Sequence, residues 1–308
     1  MVYYITYQDT LIFSPNYNKS IDFYLIQTCN KIIFSNYNLD DDLFLKYSNN
    51  DLKNLIYIRS KFNQDIELPK NITHLTFGHS FNKPIILSLN ITHLTFGSDF
   101  NQSIKLTPNI THLTFSYNFN QPIVLSEKIT HLTFGHSFNK PVKLPSNITH
   151  LTFGSYFNQP IELSSNITHL TFGDRFNKHV KLSKKITHLS FGYLFNQLVI
   201  LPENITHLTF GRDFNKSIVL PENLIHLTFG TNFNQKVDFP FGIKYLKLEY
   251  DEPHNLDFLP MGIEVLELDE YFNSPLDNLP NSLLVIKLSK RYKGSLKCIP
   301  TNTKVEYY

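Results

Sequence analysis

The sequence predicts a mostly β solenoid of 19- to 20-residue coils, about sixteen of them including degenerate caps. Three observations carry this expectation. The phrase ITHLTFGHSFNKPI at 72–85 returns at 91, 110, 129, 148, 167, 186, 205 and, as LIHLTFGTNFNQKV, at 224. Inside each phrase Leu75 and Phe77 alternate with His74 and Thr76, the period of a strand with one buried face. A Phe-Asn pair and a turn rich in Pro, Ser and Asn then follow before the next phrase begins. A repeated phrase at constant spacing makes rows of identical side chains, which is the wording of stacking rather than of an asymmetric catalytic site.

The His of each THL marks the strand: His74, His93, His112, His131, His150, His169, His188, His207 and His226 follow one another at 19 residues without exception. Downstream, Tyr245 in IKYLKL, Val265 in IEVLEL, Val285 in LLVIKL and Val305 in TKVEYY continue the series at 19, 20, 20 and 20. Upstream, Asn54 in LKNLIYI precedes His74 by 20, with Lys31 and Thr10 as weaker matches. The chain is therefore divided into degenerate N-terminal coils over 1–51, regular repeats over 52–238, and divergent coils with a cap over 239–308, all in one continuous solenoid. Irregular end coils are expected, because end faces would otherwise expose core and unpaired strand.

Within one coil, Ile72 turns the corner into the strand, and Leu75, Phe77, Phe81, Ile85 and Leu87 complete the apolar set. A coil of 19 residues has room for a strand and a short 3₁₀ or extended return, and not for a full helix. Asn82, Asn101, Asn120, Asn139, Asn158, Asn177, Asn196, Asn215 and Asn234 occupy one site per coil just past a bend, where an internal Asn ladder bonding turn backbones is expected. The recurring NIT at Asn71, Asn90, Asn109, Asn147, Asn166 and Asn204 is read as structural wording rather than as a glycosylation signal.

Composition narrows the function. The 28 basic and 26 acidic residues of this 308-residue chain, net +2 and without long runs, give no electrostatic footprint for nucleic acid. No apolar stretch approaches the ~18 residues of a membrane span, and the N-terminus has no export signal, so a cytoplasmic protein without nucleic-acid or membrane partners is expected. The two cysteines, Cys29 and Cys298, lie too far apart to pair within one rod-like chain.

The segments FNKPI from Phe81 and FNQPI from Phe119 and Phe157, joined to IxxLxF, resemble the FNIP repeat. This is a relative of the leucine-rich repeat, abundant in social amoebae and in the giant viruses that infect amoebae. The resemblance runs from about 52 to 308, with the Pro replaced in FNQSI, FNKHV, FNQLV, FNKSI and FNQKV. It implies a leucine-rich-repeat-like solenoid that binds protein and performs no chemistry. Some relatives carry an N-terminal F-box and resemble substrate adaptors of ubiquitin ligases; no F-box is evident in residues 1–51.

Two sets of residues qualify as site candidates. The nine-His row offers imidazoles to a metal, but the coil supplies no regular carboxylate or thiolate to complete a closed site, and ordinary strand packing is the plainer reading. The second set is where otherwise equal coils differ, in the two residues after each Gly or Ser. Asp99, Tyr117, Tyr156, Asp174, Arg175, Tyr193, Arg212 and Asp213 there form a candidate contact surface for a protein partner, repetitive or multivalent in keeping with the repeated coils. No catalytic or cofactor-binding residue is assigned. The leading expectation is a non-enzymatic scaffold binding through its exposed strand face and variable rim. The alternatives are a ubiquitin-ligase adaptor, or a metal-binding or purely structural solenoid. The oligomeric state is left open.

Overall fold

The computed structural model describes residues 4–37, 58–249 and 259–308. The chain divides into two compact units, 1–154 and 155–308. In the first, β1 (Tyr4–Tyr7), β2 (Thr10–Phe13), α1 (Phe23–Ile26), β3 (Lys31–Phe34), β4 (His74–Thr76), β5 (His93–Phe96), β6 (His112–Phe115), β7 (His131–Thr133) and β8 (His150–Thr152) follow in order. β1 and β2 form an antiparallel hairpin whose turn places Gln8 at a left-handed φ of 48°. From β2 to β8 each strand pairs in parallel with the next.

The second unit contains β9 (His169–Thr171), β10 (His188–Ser190), β11 (His207–Thr209), β12 (His226–Phe229), β13 (Tyr245–Leu248), β14 (Val265–Leu268), β15 (Val285–Leu288) and β16 (Lys304–Tyr307). All pair in parallel with their chain neighbours. Both units are β-solenoids with extended return segments, and α1, four residues long, is the one α-helix among the described residues.

The His markers pair with one another in register, and Lys31 and Thr10 continue the same column. Two sequence expectations are corrected. β3 pairs directly with β4, so no strand lies between them, and the segment around Asn54 falls outside the described residues. The coil that β3 begins is finished by Phe62 and Asn63: Phe62 stacks on Phe34 at 4.0 Å, the contact that Phe77 and Phe81 make at 3.7 Å. Those partners are 28 residues apart instead of four, so an excursion interrupts this coil. In the last coil Lys304, not Val305, pairs with Val285. Val305 falls one place inward, opposite the buried Ile286, because its apolar side chain belongs to the core column.

Repetition builds the core. Ile72, Leu75, Phe77 and Phe81, and their counterparts in later coils, are buried to 3% exposure or less. The Phe rings form two columns, with neighbours in the Phe77 column at 5.5–6.0 Å and in the Phe81 column at 6.0–6.2 Å. The return side is looser than expected: Leu87 is buried, whereas Ile85 is only half-buried. After each strand the backbones of adjacent coils come into contact. A Cβ on Gly97 would lie 1.9 Å from the Gly78 carbonyl oxygen, and one on Gly211 would lie 2.4 Å from that of Gly192. The glycines are there for close approach, and none has a positive φ.

Two Asn ladders tie coil to coil. The Asn82 amide N–H donates to Asn63 Oδ1 at 2.9 Å, Asn101 to Asn82 likewise, and the series resumes in the second unit from Asn177 onto Asn158 at 3.0 Å. The Asn of NIT forms the other: Asn90, Asn109, Asn147 and Asn204 each donate a side-chain N–H to a backbone carbonyl of the preceding coil, at 2.7–2.9 Å. Buried turn backbone is thereby satisfied in every coil by one side chain.

Candidate interaction surface

The strand face is built on the His column. In both units neighbouring imidazoles stack with centroids 4.1–4.3 Å apart and planes 10–14° off parallel. This spacing is tighter than the ~4.8 Å between strands and much tighter than the 6.0–6.2 Å of the Phe81 column. Each coil is thus a wedge, thin at the imidazoles and thick at the Phe pair, and within each unit the strand face is concave.

The Thr before each His orients the ring. Thr92 Oγ1 donates to the Thr73 carbonyl at 3.2 Å and lies 2.9 Å from His93 Nδ1, and the same pair of contacts recurs at Thr111, Thr130, Thr149, Thr187 and Thr206. A hydroxyl has one proton, so with that proton given to the carbonyl the oxygen accepts from Nδ1–H and the Nε2 lone pair is left on the other side of the ring. His226 follows Ile225 and lacks this device. The imidazoles of His74, His93, His112 and His207 are held below their ordinary pKa, first by burial and then by neighbouring charges, chiefly other members of the column. Nearly parallel rings do not aim two nitrogens at one point, and among the described residues no group of three or more His, Cys, Asp or Glu is arranged to hold a metal.

The rim follows the strand face, and its backbone is as regular as the sheet. The second rim residue of a coil donates its N–H to the first rim residue of the preceding coil: Asp99 to His79 at 2.9 Å, Leu194 to Asp174 at 2.7 Å, Asp213 to Tyr193 at 2.8 Å. The side chains carried by this ladder differ from coil to coil. In the first unit Asp99 accepts from Asn118 Nδ2 at 3.4 Å and lies 3.7 Å from His79 Nε2, while the exposed Tyr117 stacks on His136 at 4.3 Å.

In the second unit the Arg175 guanidinium lies over Tyr156 at 3.9 Å, and that of Arg212 over Tyr193 at 5.1 Å, with a hydrogen bond to the Tyr193 hydroxyl at 3.2 Å. Arg212 also lies 3.5 Å from Asp213. The candidate rim residues are brought together as two clusters, Asp99 with Tyr117 in the first unit and the other six in the second. The Tyr–Arg stacks were not anticipated, because they depend on which residues of adjacent coils meet. Sequence reasoning also missed the exposed apolar residues of the return segments. Ile86 and Val124 in the first unit, and Leu198, Ile200 and Val219 in the second, are 66–91% exposed. A groove of about 720 Å³ runs between Val180 and Ile200.

At the far end of the second unit the strand face changes character. Tyr245 donates to Glu267 at 2.9 Å, and Glu267 also lies 3.2 Å from Lys247 and 3.3 Å from Lys287. Burial and the hydrogen bond to Glu267 push the Tyr245 hydroxyl up to about 12. Burial would raise the Glu267 carboxyl, but hydrogen bonds from Tyr245 and Lys247 outweigh it and hold the group below its ordinary value. Among the described residues no helix is long and apolar enough to cross a membrane.

Similarity to known proteins agrees with this construction. CroV588, a giant-virus protein described as a novel circular leucine-rich-repeat structure, superposes with a TM-score of 0.67 at 28% identity over 99% of this chain. The chain spans 60% of the length of CroV588. YopM from Yersinia enterocolitica shares the fold at a TM-score of 0.53, with 14% identity over 92% of this chain and 74% of its own. No curated protein matches by sequence. The FNIP repeat profile matches residues 62–99, 100–125, 124–156, 138–163, 157–193, 195–231, 214–251 and 250–291, and the chain belongs to the FNIP repeat family.

Proposed function

We propose that the chain is a non-enzymatic scaffold that binds a protein partner through its concave strand face and the adjoining rim. Leucine-rich-repeat-like solenoids commonly serve protein–protein interaction, and their curvature creates extended concave surfaces. One contrast supports the reading here. The core, Gly and Asn columns repeat almost unchanged, whereas the two rim residues vary from coil to coil on an equally regular backbone and are exposed at Tyr117, Asp174, Arg175, Tyr193, Leu194 and Arg212. Tyr and Arg on a rigid support have the composition of interface anchors.

The test compares capture by immobilised protein from an amoebal lysate. One variant has the pairs at 174–175, 193–194 and 212–213 replaced by Ser-Asn; another has Ile86, Val124, Ile200 and Val219 replaced by Ser. Proteins retained by the parent and the return-side variant but lost with the rim variant are the expected result. Retention that survives the rim changes and fails with the return-side changes would move the interface to the other side of the coil.

A further inference from the structure

Six rim residues of the second unit form a charge pattern that is its own complement. Successive coils present Asp174 and Arg175, then Tyr193 and Leu194, then Arg212 and Asp213, held in two columns by the N–H donations of Leu194 to Asp174 at 2.7 Å and of Asp213 to Tyr193 at 2.8 Å. One column reads acid, Tyr, base; the other reads base, Leu, acid. A twofold axis along the line from Tyr193 to Leu194 brings Asp174 opposite Arg212 of a second copy and Arg175 opposite its Asp213, while Tyr193 and Leu194 meet their own counterparts. All four charged positions then face an opposite charge, and the exposed Tyr193 (47%) and Leu194 (41%) lie at the centre. An apolar centre within a charged border, self-complementary about a twofold, is the requirement for an isologous contact. The rim stands beside the concave face, so the wedge shape of the coils does not obstruct it.

We infer that this rim patch is a self-association site whose partner is a second copy of the chain. The inference rests on the reading of the rim as a contact surface and names one occupant of it. Six residues a side fall well short of the ~20–30 of a standard interface, so the association is weak and is read at ~0.1–1 mM protein. Opposed charges at such a contact set register and exclude wrong pairings.

The experiment uses Arg175→Asp and Asp213→Arg in separate full-length chains, each checked for parental circular dichroism and urea midpoint, and then studied by sedimentation equilibrium alone and mixed. Each variant alone opposes like charges twice across the axis and should self-associate at least about tenfold more weakly than the parent. Mixed in equal amounts, the acid introduced at position 175 of one chain faces the base introduced at position 213 of the other. The unchanged Asp213 of the first chain then faces the unchanged Arg175 of the second, and association should return to the parental level. A parent that stays monomeric at ~1 mM, or a mixture that associates no more than its separate components, overturns the pairing. Loss of lysate capture by the same variants without any effect of mixing also overturns it, and leaves the rim standing as a surface for a different partner.

Discussion

Within the second unit, the column beside the markers reads Thr171, Ser190, Thr209 and Thr228 along β9–β12, and Lys247, Glu267, Lys287 and Glu306 along β13–β16. The marker column changes with it, from four stacked His to Tyr245, Val265, Val285 and Lys304. Parallel in-register pairing sets each residue beside its own equivalent, so identical coils can carry only side chains that tolerate themselves as neighbours. Two like charges at ~4.8 Å repel by roughly 0.9 kcal/mol even at the dielectric of water, and a charged row would bear this at every step. Neutral imidazole, hydroxyl, amide and phenyl groups stack without that cost. Charge enters the face where the repeat is abandoned, and it enters alternating in sign.

The largest expected effects are common to both regions, because the core is continuous through each. Phe210→Ala removes a ring stacked on Phe191, Phe214 and Phe229, and should destabilise by about 3–5 kcal/mol; Leu268→Ala, in the divergent coils, should cost about 2–5 kcal/mol. Urea midpoints check both. A tolerated Phe210→Ala would mean that the Phe columns do not support the wedge.

A smaller effect separates the regions. Glu267→Gln leaves Lys247 and Lys287 facing each other across a neutral residue and should cost about 1–3 kcal/mol near pH 7. Ser190→Thr, which restores the neutral row, should stay within about 0.5 kcal/mol. The carboxyl is held below its ordinary value, so the unfolded chain binds the proton first as pH falls, and the Glu267 contribution, intact above about 4.5, is lost as pH drops towards the folded value. An acid limb below about pH 4.5 that is the same in parent and Glu267→Gln would contradict this.

The 19-residue period made the strands, the Phe columns, both Asn ladders and the His row legible, because each is a property of one coil copied to the next. What departed from the period was harder to read. The first coil was readable in hindsight: Phe13 stacks on Tyr17 at 4.6 Å and Asn18 accepts from the Asn63 N–H, so Tyr17-Asn18 stands for Phe-Asn. The excursion after β3 hid its coil by separating Phe34 from Phe62, and a search for even spacing put a strand at Asn54 instead. The Thr–His pairing was present in every ITH, but its geometry depends on a carbonyl from the previous coil. Lowered imidazole pKa values were expected from mutual repulsion alone; burial proves the larger cause. At the rim the residues were legible and their partners were not, since the Tyr–Arg stacks join neighbouring coils.

The central claim, that the repeated face is a column of stacked, uncharged imidazoles, is tested most directly by its acid response. Because His74, His93, His112 and His207 titrate below their ordinary value of about 6.5, the unfolded chain takes up protons first as pH falls. Stability should therefore be intact above about pH 6.5 and decline as pH falls towards the folded values. Urea midpoints measured from pH 7.5 to 5.0, above the Glu267 window, for the parent and for a variant with these four residues changed to Gln should diverge steadily, the parent falling and the variant holding nearly level. Parallel curves would contradict the account, and would mean that the imidazoles do not share one half-buried column.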